Sequence, residues 1–159
     1  MGFYWYERDP QLLEVEKKAM RESFPHFKLE KLDDGRLCWV GTLQPCENDI
    51  IWTVMAVYEN NHPSNSTYGG SIKIYSIDPD LEELNSQAIR IDGRRGLPHV
   101  FKDSENNLCI CTSLTSDFMI GNVVTSASAS LRWAAKWTFL ITCWLNGDIE
   151  DNDMFGGVF

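Results

Sequence analysis

Positive charge is scarce in this chain. Fourteen Lys and Arg stand against 23 Asp and Glu, a formal net charge of −9 over 159 residues. Nucleic-acid binders draw much of their affinity from neutralising phosphates with a basic face. The densest basic cluster here, Arg90, Arg94 and Arg95, reads as a local, solvated loop. Nucleic acid is therefore not the expected partner, and a protein that works on other proteins is. Long apolar runs are also missing. No stretch nears the roughly 18–20 residues that span a bilayer, so no membrane partner is expected. Met1 to Asp9 has neither the basic start nor the apolar stretch of a signal peptide, and the cytoplasm is the expected location. Histidine is rare, at three residues, and no Cys pair has C-x-x-C spacing. Cys109-Ile110-Cys111 is tighter than a usual zinc hairpin, so neither metal nor cofactor is expected. The five cysteines, Cys38, Cys46, Cys109, Cys111 and Cys143, are odd in number and read as free thiols.

What is present is a globular composition, with 43% apolar residues and six tryptophans, enough for one domain over residues 1–159. Asp9-Pro10 starts a helix, since Asp caps free N–H groups and Pro suits the first helical position. Leu12, Leu13, Val15, Ala19, Met20 and Phe24 follow as a core-facing stripe, and Pro25 ends it. Phe27 to Leu32 reads as a strand leading into the Asp33-Asp34-Gly35 turn. Leu37 to Leu43 alternates, Ile50 to Tyr58 is nearly continuous in the manner of a strand buried on both faces, and Ser71 to Ile77 alternates again. From Ile91 to Thr125 there is no clean period, and a long irregular stretch inside a domain is often functional. Ser126 to Leu145 has helical spacing, with Asn146-Gly147 as its stop. Trp39, Trp52, Val54, Ala56, Leu131 and Ile141 are the expected core.

The chemistry-bearing segment is Gly96 to Thr112. In it His99 precedes Cys109 by ten positions, Leu108-Cys109 is an apolar-Cys pair, and Asp103 to Asn107 supplies turn residues between them. This pattern, with the order helix, meander, cysteine loop, helix, resembles the ubiquitin-conjugating enzymes. It is most similar to their divergent prokaryotic members from anti-phage (CBASS) operons, which place Leu-Pro-His before the cysteine and a Trp- and Ala-rich helix after it. The resemblance covers Asp9 to Leu145. It implies an α/β fold: an antiparallel four-stranded meander flanked by an N-terminal and a C-terminal helix. It implies that Cys109 carries the C-terminus of a partner protein as a thioester and passes it to an amine. The implied partner is the C-terminal tail of a cGAS-like nucleotidyltransferase, the cyclic-oligonucleotide synthase of such operons. His99 is implied to support the site loop by hydrogen bonding, without binding metal. Two family positions differ: Val100 and Phe101 stand where the pattern has Pro and Asn. The oxyanion role credited to that Asn therefore passes to no residue, with Asn106, Asn107 or backbone N–H groups as alternatives.

A free thiol near pH 7 is already a few per cent thiolate, so strong activation is optional. Lys102 and Arg95 are the nearest candidate cations in sequence. Cys109 is expected to be solvent-accessible at the edge of the Ile91–Thr125 stretch. Cys111 is its understudy, Cys46 a loop thiol, and Cys38 and Cys143 silent buried thiols. Two other readings stand beside the conjugating enzyme: a non-catalytic binding module of the same fold, and a Cys-His hydrolase.

Overall fold

The structure, a computed structural model, describes residues 3–47, 49–64, 70–87, 96–110 and 124–148. Helix α1 (Trp5–Arg8) leads into α2 (Pro10–Ser23). Four strands follow, β1 (Lys28–Lys31), β2 (Leu37–Leu43), β3 (Trp52–Tyr58) and β4 (Ile72–Asp78). After them come α3 (Leu81–Gln87), the short strands β5 (Val100–Lys102) and β6 (Leu108–Ile110), and the long helix α4 (Ala127–Leu145). Together the strands form one antiparallel sheet in the order β1-β2-β3-β4-β6-β5.

Local chemistry sets the ends of these elements. The Asp9 carboxylate accepts from Leu12 N at 3.1 Å, and Pro10 occupies the first turn of α2. Ser126 caps α4 by accepting from Ala129 N at 3.1 Å. Between β1 and β2 the chain turns through Gly35, whose φ of +91° favours glycine.

One face of the sheet makes the core. Trp39, Trp52, Val54, Ala56, Tyr58, Ile72 and Ile74 alternate onto it and meet Met20 of α2 and Leu131, Ala134, Trp137 and Ile141 of α4. All six residues expected in the core are buried, none more than 6% exposed. Trp52 and Trp137 pack edge to face at 5.5 Å between centroids. Trp52 also donates to Thr142 Oγ1 at 3.2 Å, so burying the indole leaves no orphan N–H.

Several expectations need correction. The meander is joined by β5 and β6, giving six strands where four are expected, because part of the aperiodic stretch folds as a hairpin of three-residue strands. Strand β3 is fully sealed along one face; on the other, Val57 is buried but Thr53 and Met55 are half-buried. Val15 is not in the α2 stripe, being 61% exposed. Glu16 takes the inward position instead, 3% exposed. Its Oε1 accepts from the Tyr58 hydroxyl at 2.8 Å and from Ala127 N, the first residue of α4, at 2.9 Å. Tyr58 in turn accepts from Trp39 Nε1 at 2.8 Å. His62 Nε2 lies 3.5 Å from the same Glu16 oxygen, and its Nδ1 is 2.9 Å from Ser71 Oγ. These partners offset the cost of burying a carboxyl group. Ser, His and Glu in sequence of contact resemble a hydrolytic triad, but all three are sealed in the core, where no substrate reaches them.

Candidate functional site

The site lies on the outer face of the sheet, opposite the α-helical layer. Alternation along β4 sends Ile72 and Ile74 to the core and Lys73 and Tyr75 outward. Ile74 pairs with Ile110 and Phe101 with Cys109, so Cys109 and Phe101 share the outer face with Lys73 and Tyr75. A groove of about 990 Å³ runs over this face, with Met55, Val57, Lys73, Tyr75, Phe101 and Asp103 among its lining residues.

Asp103 builds the β5–β6 turn. Its Oδ1 accepts from Glu105 N and Asn107 N, both at 2.9 Å, and its Oδ2 from the Tyr75 hydroxyl at 2.7 Å. The backbone closes the same loop, Asp103 N donating to Asn107 O at 2.9 Å. Asn106 adopts φ +70°, a left-handed position that Asn tolerates better than most residues. Desolvation raises the Asp103 pKa, but the hydrogen bonds from Tyr75, Asn107 and Glu105 outweigh it and hold it below the ordinary carboxylate value.

Cys109 sits beneath this arrangement. Its thiol donates to Asn107 O at 3.7 Å, and the nearby Tyr75 hydroxyl favours its thiolate. It is 0% exposed, a correction to the accessible loop thiol expected from sequence. The reason is strand pairing: held between β4 and β5, the sulfur lies under Tyr75 and Asp103. Burial pushes the thiol up to about 12; Asp103 and Glu59 add to the rise, while Tyr75 and Lys73 oppose it. Tyr75 is also raised, first by burial and then by its bond to Asp103.

Among the described residues, the cation that acts on the thiol is Lys73, not Lys102. Lys102 pairs with Leu108 in register and is exposed. Lys73 Nζ donates to Gly70 O at 2.7 Å and lies 5.7 Å from the Phe101 ring centroid. Tyr75 and Lys73 were both legible in the Ile72-Lys73-Ile74-Tyr75 alternation, which puts them on the face that the core does not use.

His99 is exposed, with φ +55°, at the entry to β5. Its neighbour Pro98 offers its carbonyl to Trp137 Nε1 at 2.9 Å, which ties this entry to α4. Leu97 N donates to Asn85 Oδ1 at 2.8 Å, which ties it to α3. Asn106 and Asn107 serve the turn through their backbone groups. Cys111, Arg90, Arg94 and Arg95 lie outside the described residues. Cys38 is buried on β2, but Cys143 is half-buried, a correction to the silent buried thiol. Among the described residues no cluster of three or more His, Cys, Asp or Glu is arranged to hold a metal ion, and no helix is long and apolar enough to cross a membrane.

Comparison with curated proteins returns no match. A family model described as Type II CBASS E2 protein matches residues 16–149, from the buried Glu16 through the Cys109 strand and all of α4. That span is most of the 159 residues, and the chain belongs to the Type II CBASS E2 protein family.

Proposed function

We propose that this chain acts in anti-phage CBASS signalling as a cysteine-dependent conjugating enzyme, a single cytoplasmic domain of ubiquitin-conjugating-enzyme-like fold. Cys109 is the nucleophile. Its thiolate attacks the activated C-terminal carbonyl of a partner protein, the leaving group departs, and a thioester forms. An amine then attacks that carbonyl, an amide bond forms, and the Cys109 thiolate leaves and is reprotonated. The partner is the tail of a cGAS-like nucleotidyltransferase. An extended tail suits the outer groove, because a thin chain end is what reaches a thiol set in a sheet face. His99 supports the entry to β5.

The observation that carries this reading is the placement of Cys109, ten residues after His99 in a chain of this family, buried beneath the groove residues Lys73 and Tyr75. Both groups favour the thiolate. For the sulfur to meet a carbonyl, the Tyr75–Asp103 pair has to part from above it. Parting them admits water to the sulfur and relieves the burial that most disfavours its ionisation, so opening and activation go together.

The sealed thiol favours a second reading, a non-catalytic binding module. Non-reducing gels of the chain with its operon partner and activating system separate the two. On the conjugation reading, Cys109→Ala abolishes a thiol-labile adduct, Cys38→Ala and Cys143→Ala keep it, Cys111→Ala weakens it little, and Cys109→Ser traps an ester seen by mass spectrometry. An adduct lost only in Cys111→Ala moves the nucleophile two residues along. An adduct indifferent to both leaves the binding module.

A further inference from the structure

A second pair of thiols lies far from Cys109, where the β2–β3 loop meets the end of α4. Cys46 is close enough to Cys143 to act on its thiol, and both are half-buried, so an oxidant reaches them. The contact does not depend on two loose ends. Asn146 Nδ2 donates to Asp49 Oδ2 at 2.8 Å, which docks the loop on the helix end. Asp49 N donates to Cys46 O at 3.3 Å, and Asp148 N to Cys143 O at 2.8 Å, so each cysteine lies in a closed turn of backbone. Cys38 and Cys109, in contrast, are buried in separate strands, β2 and β6.

We propose that Cys46 and Cys143 form a reversible disulfide under hydrogen peroxide, and that this bond staples the β2–β3 loop to the C-terminal end of α4. The Cys46 thiolate attacks one peroxide oxygen, the O–O bond breaks, and the leaving hydroxide takes up a proton as water. The resulting Cys46 sulfenic acid is attacked by Cys143; the S–S bond forms, the S–O bond breaks, and the hydroxide leaves with the Cys143 proton as a second water. Two sulfurs are oxidised and one peroxide is reduced. Cys143 takes the second role because burial, with Cys46, Asp148 and Asp49 close by, disfavours its thiolate. The bond joins positions nearly a hundred residues apart, so it constrains the unfolded chain strongly. It requires nothing of Cys109 and stands whether or not the chain conjugates protein.

The test is peroxide treatment of the whole wild-type chain, alkylation of remaining thiols, digestion without reductant, and mass spectrometry. The expected product is a Cys46–Cys143 linked peptide lighter by two hydrogen atoms than the sum of its parts, absent from Cys46→Ser and Cys143→Ser. The oxidised wild type should melt on the order of 5–10 °C higher, and dithiothreitol should reverse this. Linkage of either cysteine to a third, oxidation of both to sulfinic acid without linkage, or a fully reduced pair after treatment each overturns the proposal.

Discussion

At the scale of single residues, Cys109 has two opposed influences within one contact of its sulfur. The Asp103 carboxylate organises the turn that covers the thiol and also disfavours its ionisation. Lys73 and Tyr75 work the other way. Asp103→Asn keeps an acceptor for the turn and removes the charge. The expected outcome is faster iodoacetamide alkylation of Cys109 and an inflection in its pH–rate profile that lies below about 12, followed by mass spectrometry of the Cys109 peptide. An inflection that rises, or an unchanged rate, would show that burial alone governs this thiol. The acid end carries a second sign. The folded Asp103 pKa is depressed, so its contribution to stability is present above the ordinary carboxylate value and is lost as pH falls through the lower folded value.

At the scale of elements, α4 determines where the cysteine hairpin starts. Trp137 is 0% exposed, packs on Trp52, and donates to the Pro98 carbonyl beside His99. Trp137→Phe keeps most of the apolar contact and leaves that carbonyl without its donor. A loss of about 1–3 kcal/mol is expected in urea unfolding. Cys109 alkylation should also quicken, since the entry to β5 is no longer held. Unchanged alkylation with reduced stability would detach α4 from the site. Helices α2 and α4 and strands β1 to β4 were legible because each has a cap, a turn residue or a long period: Asp9-Pro10, Ser126, Gly35, and the alternation from Leu37 to Leu43. The hairpin of β5 and β6 was not, because three-residue strands carry no period and its turn is built by the Asp103 side chain. Helix α3 was missed for a similar reason; it spans only Leu81–Gln87 and buries a single residue, Leu81. The candidate site was half legible. His99-to-Cys109 spacing named the thiol, but its burial follows from the pairing of Cys109 with Phe101, a tertiary fact that spacing does not carry.

At the scale of the whole molecule, the buried Glu16 network joins α2, β2, β3, the turn at His62, Ser71 just before β4 and the start of α4, so its protonation bears on global stability. Glu16 and His62 are 3.5 Å apart and geometrically an ion pair, yet burial pushes Glu16 up and His62 down to about 4, each toward its neutral form. We read the contact as a neutral one, since desolvating two charges costs more than the hydrogen bonds to Glu16 return. The signs then follow separately. His62 stays neutral in the fold while the unfolded chain takes a proton below the ordinary 6.5, so stability falls as pH drops from 6.5 toward 4. At about 1.4 kcal/mol per pH unit this amounts to at most about 3 kcal/mol. Glu16 acts in the opposite direction. Its raised folded pKa makes the ionised form a liability above the ordinary carboxylate value, and that liability is relieved as pH falls through the folded value. Urea midpoints measured from pH 7 to pH 4 should therefore decline in the wild type, decline more steeply in Glu16→Gln, and flatten in His62→Gln. Asp103 titrates below this window and leaves the comparison undisturbed. A His62→Gln profile as steep as wild type would place the acid-sensitive group elsewhere in the chain, and a Glu16→Gln profile no steeper than wild type would show that Glu16 is already ionised and paired in the fold.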